Sequence, residues 1–416
     1  MFSGTILIVF YILIIFRMDI NHIMRKQLVQ GIDYRSGKAV NLIIDNGIIE
    51  NIRPGKTGGS ADIPYIAPGL IDFQVNGYMG MDFNNKTLNP ELVKKTTEDL
   101  WKTGITKYFP TVVTNSADQI SYSLSVINKV CSTFSDVNRS IGGIHLEGPF
   151  ISSVEGPRGA HNANFVTAPD WTQFKKWQKI SGNRIEIITM SPEWHQASDF
   201  IKKCVKNGVN VSIGHTSATP QQIKDAVSVG ARMSTHLGNG AHLMLPRHPN
   251  YIWEQLAQDD LWTTVISDGF HLPDSVLKVM YRSKSGKMIL ISDCTKFAGM
   301  PAGSYHSKIG GNVILSESGR LYMAEKPELL AGSAVSLMVC VNHMLNTGIC
   351  SLPQAWDMAS VLPAHFIEPD SIYGLQKGSV ADLVLFSLID KKIKVLKTIK
   401  NGRIVYENPE LINSDI

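Results

Sequence analysis

The sequence has 416 residues, 44% of them hydrophobic and 18% charged, a balance that suits a globular enzyme and excludes a mainly disordered chain. The formal net charge of +4 comes without a long Lys/Arg run or basic stripe, so no nucleic-acid partner is expected. The five cysteines (Cys131, Cys204, Cys294, Cys340 and Cys350) are odd in number and form no CxxC pair, which argues for a reducing, cytoplasmic setting and against a disulfide framework.

In chain order, Thr5 to Phe16 is almost wholly apolar and is followed by Arg17. It is shorter than the roughly 20 residues a spanning helix needs. It also lacks the basic segment before it and the cleavage site after it that mark a signal peptide. Met18 and Met24 both stand just ahead of sequence that reads as folded, so residues 1–23 read as a dispensable extension, with a membrane anchor as the alternative. From Leu28 to Ile52 short alternating strands follow, with Asp45-Asn46-Gly47 as a hairpin signal. Gly374 to Tyr406 repeats that style, with Asn401-Gly402 as a turn. The two ends are therefore expected to build one small β-sandwich from residues 24–66 and 365–416.

Between them, apolar strand-like runs alternate with amphipathic helical stretches, which argues for parallel βαβ units. The strand candidates are Tyr108–Val113, Ile141–Glu147, Ile185–Met190, Val209–His215, Met233–His236, Thr263–Ser267 and Met288–Asp293. Helices are expected over Pro90–Thr103, Ala117–Phe134 and Pro220–Val229. The expected fold is α/β, a (β/α)8 TIM-like barrel over residues 67–364. Active sites of such barrels sit where the strands end.

Four of these runs end in a residue able to bind a metal or move a proton: Glu147 in "HLEGPF", His215 in "IGHTSAT", His236 in "STHLGNG" and Asp293 in "LISDCT". A single such ending is most often structural, but four followed by Gly or small polar residues are hard to explain as packing. Two histidines and a carboxylate match a metal site that keeps its fourth position for water. His145, two residues before Glu147, reads as a support behind the ligands.

The motifs "PGLIDFQVNGYMGMDF", "HLEGPF", "GAHNANFV", "GHTSAT", "THLGNGAHLM", "SDGFHL", "ISDCTKFAGMPAGSY" and "LAGSAVSL" resemble, in order, those of the N-acetylglucosamine-6-phosphate deacetylase family of the amidohydrolase superfamily. The resemblance runs from about Leu28 to Tyr406. It implies one divalent ion, expected to be zinc, on Glu147, His215 and His236, with Asp293 as general acid/base and His161 against the substrate amide. It also implies an amino-sugar phosphate substrate touched by Ala160, His161, Asn239, Gly240, His271, Leu330, Ala331 and Gly332. Either Arg247 or His248 holds the phosphate in this reading, and a homodimer is implied.

Many members of the superfamily carry His-x-His at the end of the first strand. Here that position reads Gln74-Val75-Asn76, and neutral amides are poor ligands for a borderline-soft ion, which points to a single metal. Two alternatives stand beside this expectation: an amidohydrolase of another N-acyl amino sugar or cyclic amide, and a non-catalytic barrel that senses a sugar phosphate.

Overall fold

The computed structural model describes residues 26–56, 63–307 and 311–412. The apolar run of residues 5–16, Met18 and Met24 lie outside the described residues. Among those described, no helix is long and apolar enough to cross a membrane.

The described residues open with β1 (Gln27–Asp33), β2 (Ala39–Asp45), β3 (Ile48–Pro54) and β4 (Tyr65–Pro68). The first barrel strand, β5 (Leu70–Val75), leads into a small hairpin of β6 (Gly77–Tyr78) and β7 (Met81–Asp82). The remaining barrel strands are β8 (Ile105–Val113), β9 (Ile144–Glu147), β10 (Ile185–Met190), β11 (Asn210–Ile213), β12 (Met233–Ser234), β13 (Trp262–Ile266) and β14 (Met288–Ile291). A four-stranded sheet follows, β15 (Gly303–Ser307), β16 (Gly311–Leu315), β17 (Leu321–Met323) and β18 (Lys326–Leu330). The last strands are β19 (Leu383–Ile389), β20 (Lys392–Lys400) and β21 (Arg403–Glu407).

The barrel strands pair in parallel in the order β14-β13-β12-β11-β10-β9-β8-β5. The seam between β14 and β5 is nearly closed by a parallel bridge from Val75 to Cys294 and by the Ser292 N–H bond to the Asp72 carboxylate. All six residues of β5 and all five of β13 are buried, as expected for strands covered on both faces. Crossover helices start where side chains cap them. Asn89 accepts from Leu92 N ahead of Pro90, and Thr219 and Gln222 form a reciprocal capping box ahead of Pro220. The barrel end away from the strand C-termini is plugged by the helix Val361–Ile367, whose Phe366 packs against Phe73 and Trp262.

The terminal strands form a seven-stranded mixed sheet in the order β21-β20-β19-β4-β1-β2-β3, so both chain ends do build one β unit. It folds over a core of Leu42, Ile44, Ile49, Ile66, Leu383 and Ile399 like a sandwich. Its two hairpin tips meet: a Cβ on Gly47 would lie 2.7 Å from the Asn401 carbonyl oxygen. Asn46, Gly47, Asn401 and Gly402 all have positive φ, as the predicted tight turns require.

Three expectations change in detail. Period-two alternation places His215, His236 and Asp293 on strands, but β11, β12 and β14 stop two residues short of them. All three instead have left-handed backbones, with φ of 47°, 29° and 48°. Strand β9 starts at Ile144, three residues late, because Gly143 takes φ 153°. The sheet β15–β18 has no counterpart among the predicted elements.

Candidate metal centre

Glu147 is the last residue of β9, and His215 and His236 stand just beyond β11 and β12. One side-chain atom from each lies within 4.8 Å of the others, and all three residues are buried. Glu147 Oε1 is 3.0 Å from His236 Nε2 and 3.3 Å from His215 Nε2. Burial alone would raise the Glu147 carboxyl, but the two imidazoles outweigh it and hold it well below the usual carboxylate range. The residues fit a divalent cation. His215 Nδ1 lies 2.9 Å from the Pro157 carbonyl, and donation there would leave the Nε2 lone pair for a cation.

The left-handed turns at His215, His236 and Asp293 aim these side chains off the ends of the strands. Such backbones cost on the order of 1–3 kcal/mol each and persist only where the surroundings enforce them. Gly240 packs against the His215 ring: a Cβ there would stand 2.6 Å from Nδ1. Asn239 closes the same turn by donating its N–H to the His236 carbonyl at 2.9 Å.

The amides of Gln74 and Asn76 act as donors to the carboxylates. Gln74 Nε2 donates to Glu147 Oε1 at 2.8 Å, and Asn76 Nδ2 donates to Asp293 Oδ1 at 2.7 Å. Burial, and then the charge of Glu147, pushes the Asp293 carboxyl up to about 6. A group in that range exchanges protons readily near neutral pH.

His161 arrives on the loop after β9, its Nε2 3.2 Å from His215 Nε2. Burial, then the neighbouring His215, drives the His161 imidazole down to about 3, so it is neutral. Arg158 Nη1 holds the loop by donating to the His161 carbonyl at 2.7 Å.

The other sequence candidates are spread around this centre. His271 donates Nδ1–H to Asp268 Oδ2 at 2.7 Å, and Asp268 Oδ1 also accepts the N–H of Phe270 and His271. Leu330 ends β18; Ala331 and Gly332 follow, and a parallel bridge joins Cys294 to Ser333 beside Asp293. Ala160, Arg247 and His248 are exposed. In the same loop, Tyr251 Oη accepts the His242 N–H at 2.9 Å and lies 3.0 Å from its Nδ1.

Sequence reading misses the groups that hold the site together. Glu193 accepts from Ser152, Ser191 and Ser217, tying three strand-end loops with one carboxylate. Arg158 and Asp268 each stand three residues before the histidine they hold, a spacing that offers the one local signal.

The profile of the family described as "Amidohydrolase family" matches residues 65–405. The chain is 31% identical over 342 residues to the N-acetylglucosamine-6-phosphate deacetylase of Lysinibacillus sphaericus, covering 82% of this chain and 85% of that one. It is 31% identical over 354 residues to the same-named protein of Caenorhabditis elegans, covering 82% of each. The fold resembles that of the N-acetylglucosamine-6-phosphate deacetylase from Pasteurella multocida, with a TM-score of 0.79 at 24% identity over 91% of this chain and 99% of that one. Fold, metal-ligand set and sequence agree: the chain belongs to the amidohydrolase family and, within it, to the N-acetylglucosamine-6-phosphate deacetylases.

Proposed function

We propose that the protein removes the acetyl group from N-acetylglucosamine 6-phosphate, giving glucosamine 6-phosphate and acetate. The observation that carries this is the buried Glu147/His215/His236 set in a chain at least 30% identical to several deacetylases of that name. Glu147, His215 and His236 would hold one divalent ion, with zinc assigned because imidazole and carboxylate are among its usual donors. When bound, that ion supplies Lewis acidity and makes a water acidic enough to attack near neutral pH.

This chain's residues do the rest. Asp293, held by Asn76, accepts the proton of the attacking water and returns it to the departing amine nitrogen. The neutral His161, brought beside the ligand set, donates a ring N–H to the carbonyl oxygen as negative charge develops there. His271, fixed by Asp268, and the loop carrying Asn239, Gly240, Arg247 and His248 contact the sugar phosphate, with Ala160 and the Leu330–Gly332 segment lining the sugar.

The domain division at 24–66, 67–364 and 365–416 belongs to the same reading. So does a cytoplasmic location, supported by five cysteines that are all buried and unpaired. A homodimer is supported by the exposed Leu243 and Met244 at 94% and 87%.

The test is acetate release from N-acetylglucosamine with and without the 6-phosphate. Equal rates on both would shift the reading to another N-acyl amino sugar. No acetate from either, with the metal bound, would leave a sugar-phosphate-binding barrel.

A further inference from the structure

Beneath the metal centre runs a chain of buried hydroxyl groups. His145 Nδ1 is 3.0 Å from the Phe73 carbonyl, and its Nε2 is 2.7 Å from Thr189 Oγ1. Thr189 Oγ1 is 2.7 Å from Thr235 Oγ1, which is 2.5 Å from Ser212 Oγ. The four side chains come from β9, β10, β11 and the residue following β12, and all four are buried.

The direction of the protons follows from one end. The Phe73 carbonyl only accepts, so His145 Nδ1 carries the hydrogen. Neither nitrogen meets a carboxylate, so the ring is neutral and Nε2 accepts from Thr189. Thr189 then accepts from Thr235, and Thr235 from Ser212. The opposite direction would need a charged His145 and would leave the Ser212 O–H without an acceptor, the costlier defect in a buried site.

Thr235 is the node of this chain. It immediately precedes His236, and its own N–H donates to the Ile213 carbonyl at 2.8 Å. Its side chain also lies against Gly214, where a Cβ would be 2.7 Å from Thr235 Cβ, and Gly214 leads into His215. Through Thr189 and His145 it reaches β9, which ends in Glu147. One hydroxyl, bonded to Thr189 and Ser212, therefore connects to the backbone segments of all three metal ligands.

We propose that Thr235 is a positioning residue whose hydroxyl, aligned by His145, Thr189 and Ser212, sets the spacing of Glu147, His215 and His236 and so the affinity for the ion. The proposal rests on the metal-site reading above. Groups that orient metal ligands typically account for about 10–100-fold in affinity.

Thr235→Val keeps the shape and removes the hydroxyl, whereas Thr235→Ser keeps the hydroxyl and removes a methyl. The affinity of each metal-stripped protein for Zn2+ is read by competition with a chromogenic chelator, alongside the Tm of the metal-free form. Thr235→Val should bind Zn2+ about 10–100-fold more weakly, and Thr235→Ser should stay near wild type. Equal losses in both would assign the effect to bulk and overturn the proposal, as would an unchanged affinity in Thr235→Val. If Thr235→Val does not fold, Ser212→Ala removes the last link without altering Thr235. It should weaken binding measurably, and unchanged affinity there also overturns the proposal. A wild-type protein that binds no Zn2+ or other divalent ion would instead undo the metal-site reading itself.

Discussion

Asn76 and Asp293 meet across 217 residues of sequence, the amide donating to the carboxylate at 2.7 Å over the seam where the barrel closes. That bond opposes the effect of burial on Asp293, so its loss should raise the Asp293 pKa further. In Asn76→Ala the acid limb of the kcat/KM profile should therefore move to higher pH. In Asp293→Asn, metal and substrate should still bind while turnover falls by about 10²–10⁴-fold, as for general acid/base groups. Near-normal turnover in that variant would give the proton transfer to another group.

Metal content should be about one ion per chain after dialysis, since one three-ligand set is found among the described residues. Gln74 and Asn76, which would have to ligate a second ion, are committed as donors to Glu147 and Asp293. Two ions per chain, both required for activity, would contradict this.

Arg247 is exposed in a loop with Gly240, and its planar guanidinium suits a phosphate. Arg247→Ala should lower kcat/KM for the 6-phosphorylated sugar by about ten-fold or more, because hydrogen bonds to charged groups contribute roughly 1.5–3 kcal/mol. Activity on unphosphorylated N-acetylglucosamine should hardly change. Running His248→Ala in parallel decides between the two cations.

Asp72 supplies a pH dependence of stability. Burial pushes its carboxyl up to about 7, although the N–H groups of Gln74 and Ser292 donate to it. Its folded pKa lies above the unfolded value of about 3.9. The folded state therefore binds more protons between those values, and its contribution to stability is complete below about pH 4 and lost as pH rises through 7. Denaturant melts at pH 5 and pH 8 should show that loss in the wild type and a smaller one in Asp72→Asn.

Lys400 and Asp382 form an ion pair at 2.5 Å, with both side chains no more than 5% exposed. Lys400→Met strands a buried carboxylate and should destabilise by roughly 3–5 kcal/mol. The double variant Lys400→Met/Asp382→Leu should recover much of that loss. If it melts no higher than the single variant, the pair is not the cause.

How much of this was legible varied with the range of the interactions. The Ile/Met-rich segment Ile185–Met190, interrupted only by Glu186 and Thr189, gives β10 its observed bounds. The metal ligands were legible because a carboxylate or imidazole at the end of an apolar run stands out against its neighbours. Their left-handed backbones were not, since alternation carries no signal of where φ changes sign. The sheet β15–β18 escaped because its short strands are half exposed and show little alternation. Gln74 could be read as a poor ligand, but its partner Glu147 lies 73 residues away, and no local pattern announces that bond.

The pairing of β4 with β19 also has a consequence for how the chain is made. Pro68 lies opposite Leu383, so the N-terminal half of the small sheet emerges from the ribosome roughly 300 residues before its partner strand. At about 5–20 residues per second, that is some 15–60 s during which the edge of β4 stays unpaired. The barrel is synthesised entirely within that interval. A nascent chain halted before Leu383 would carry a finished barrel beside an open, adhesive strand edge, a natural target for chaperones or for aggregation.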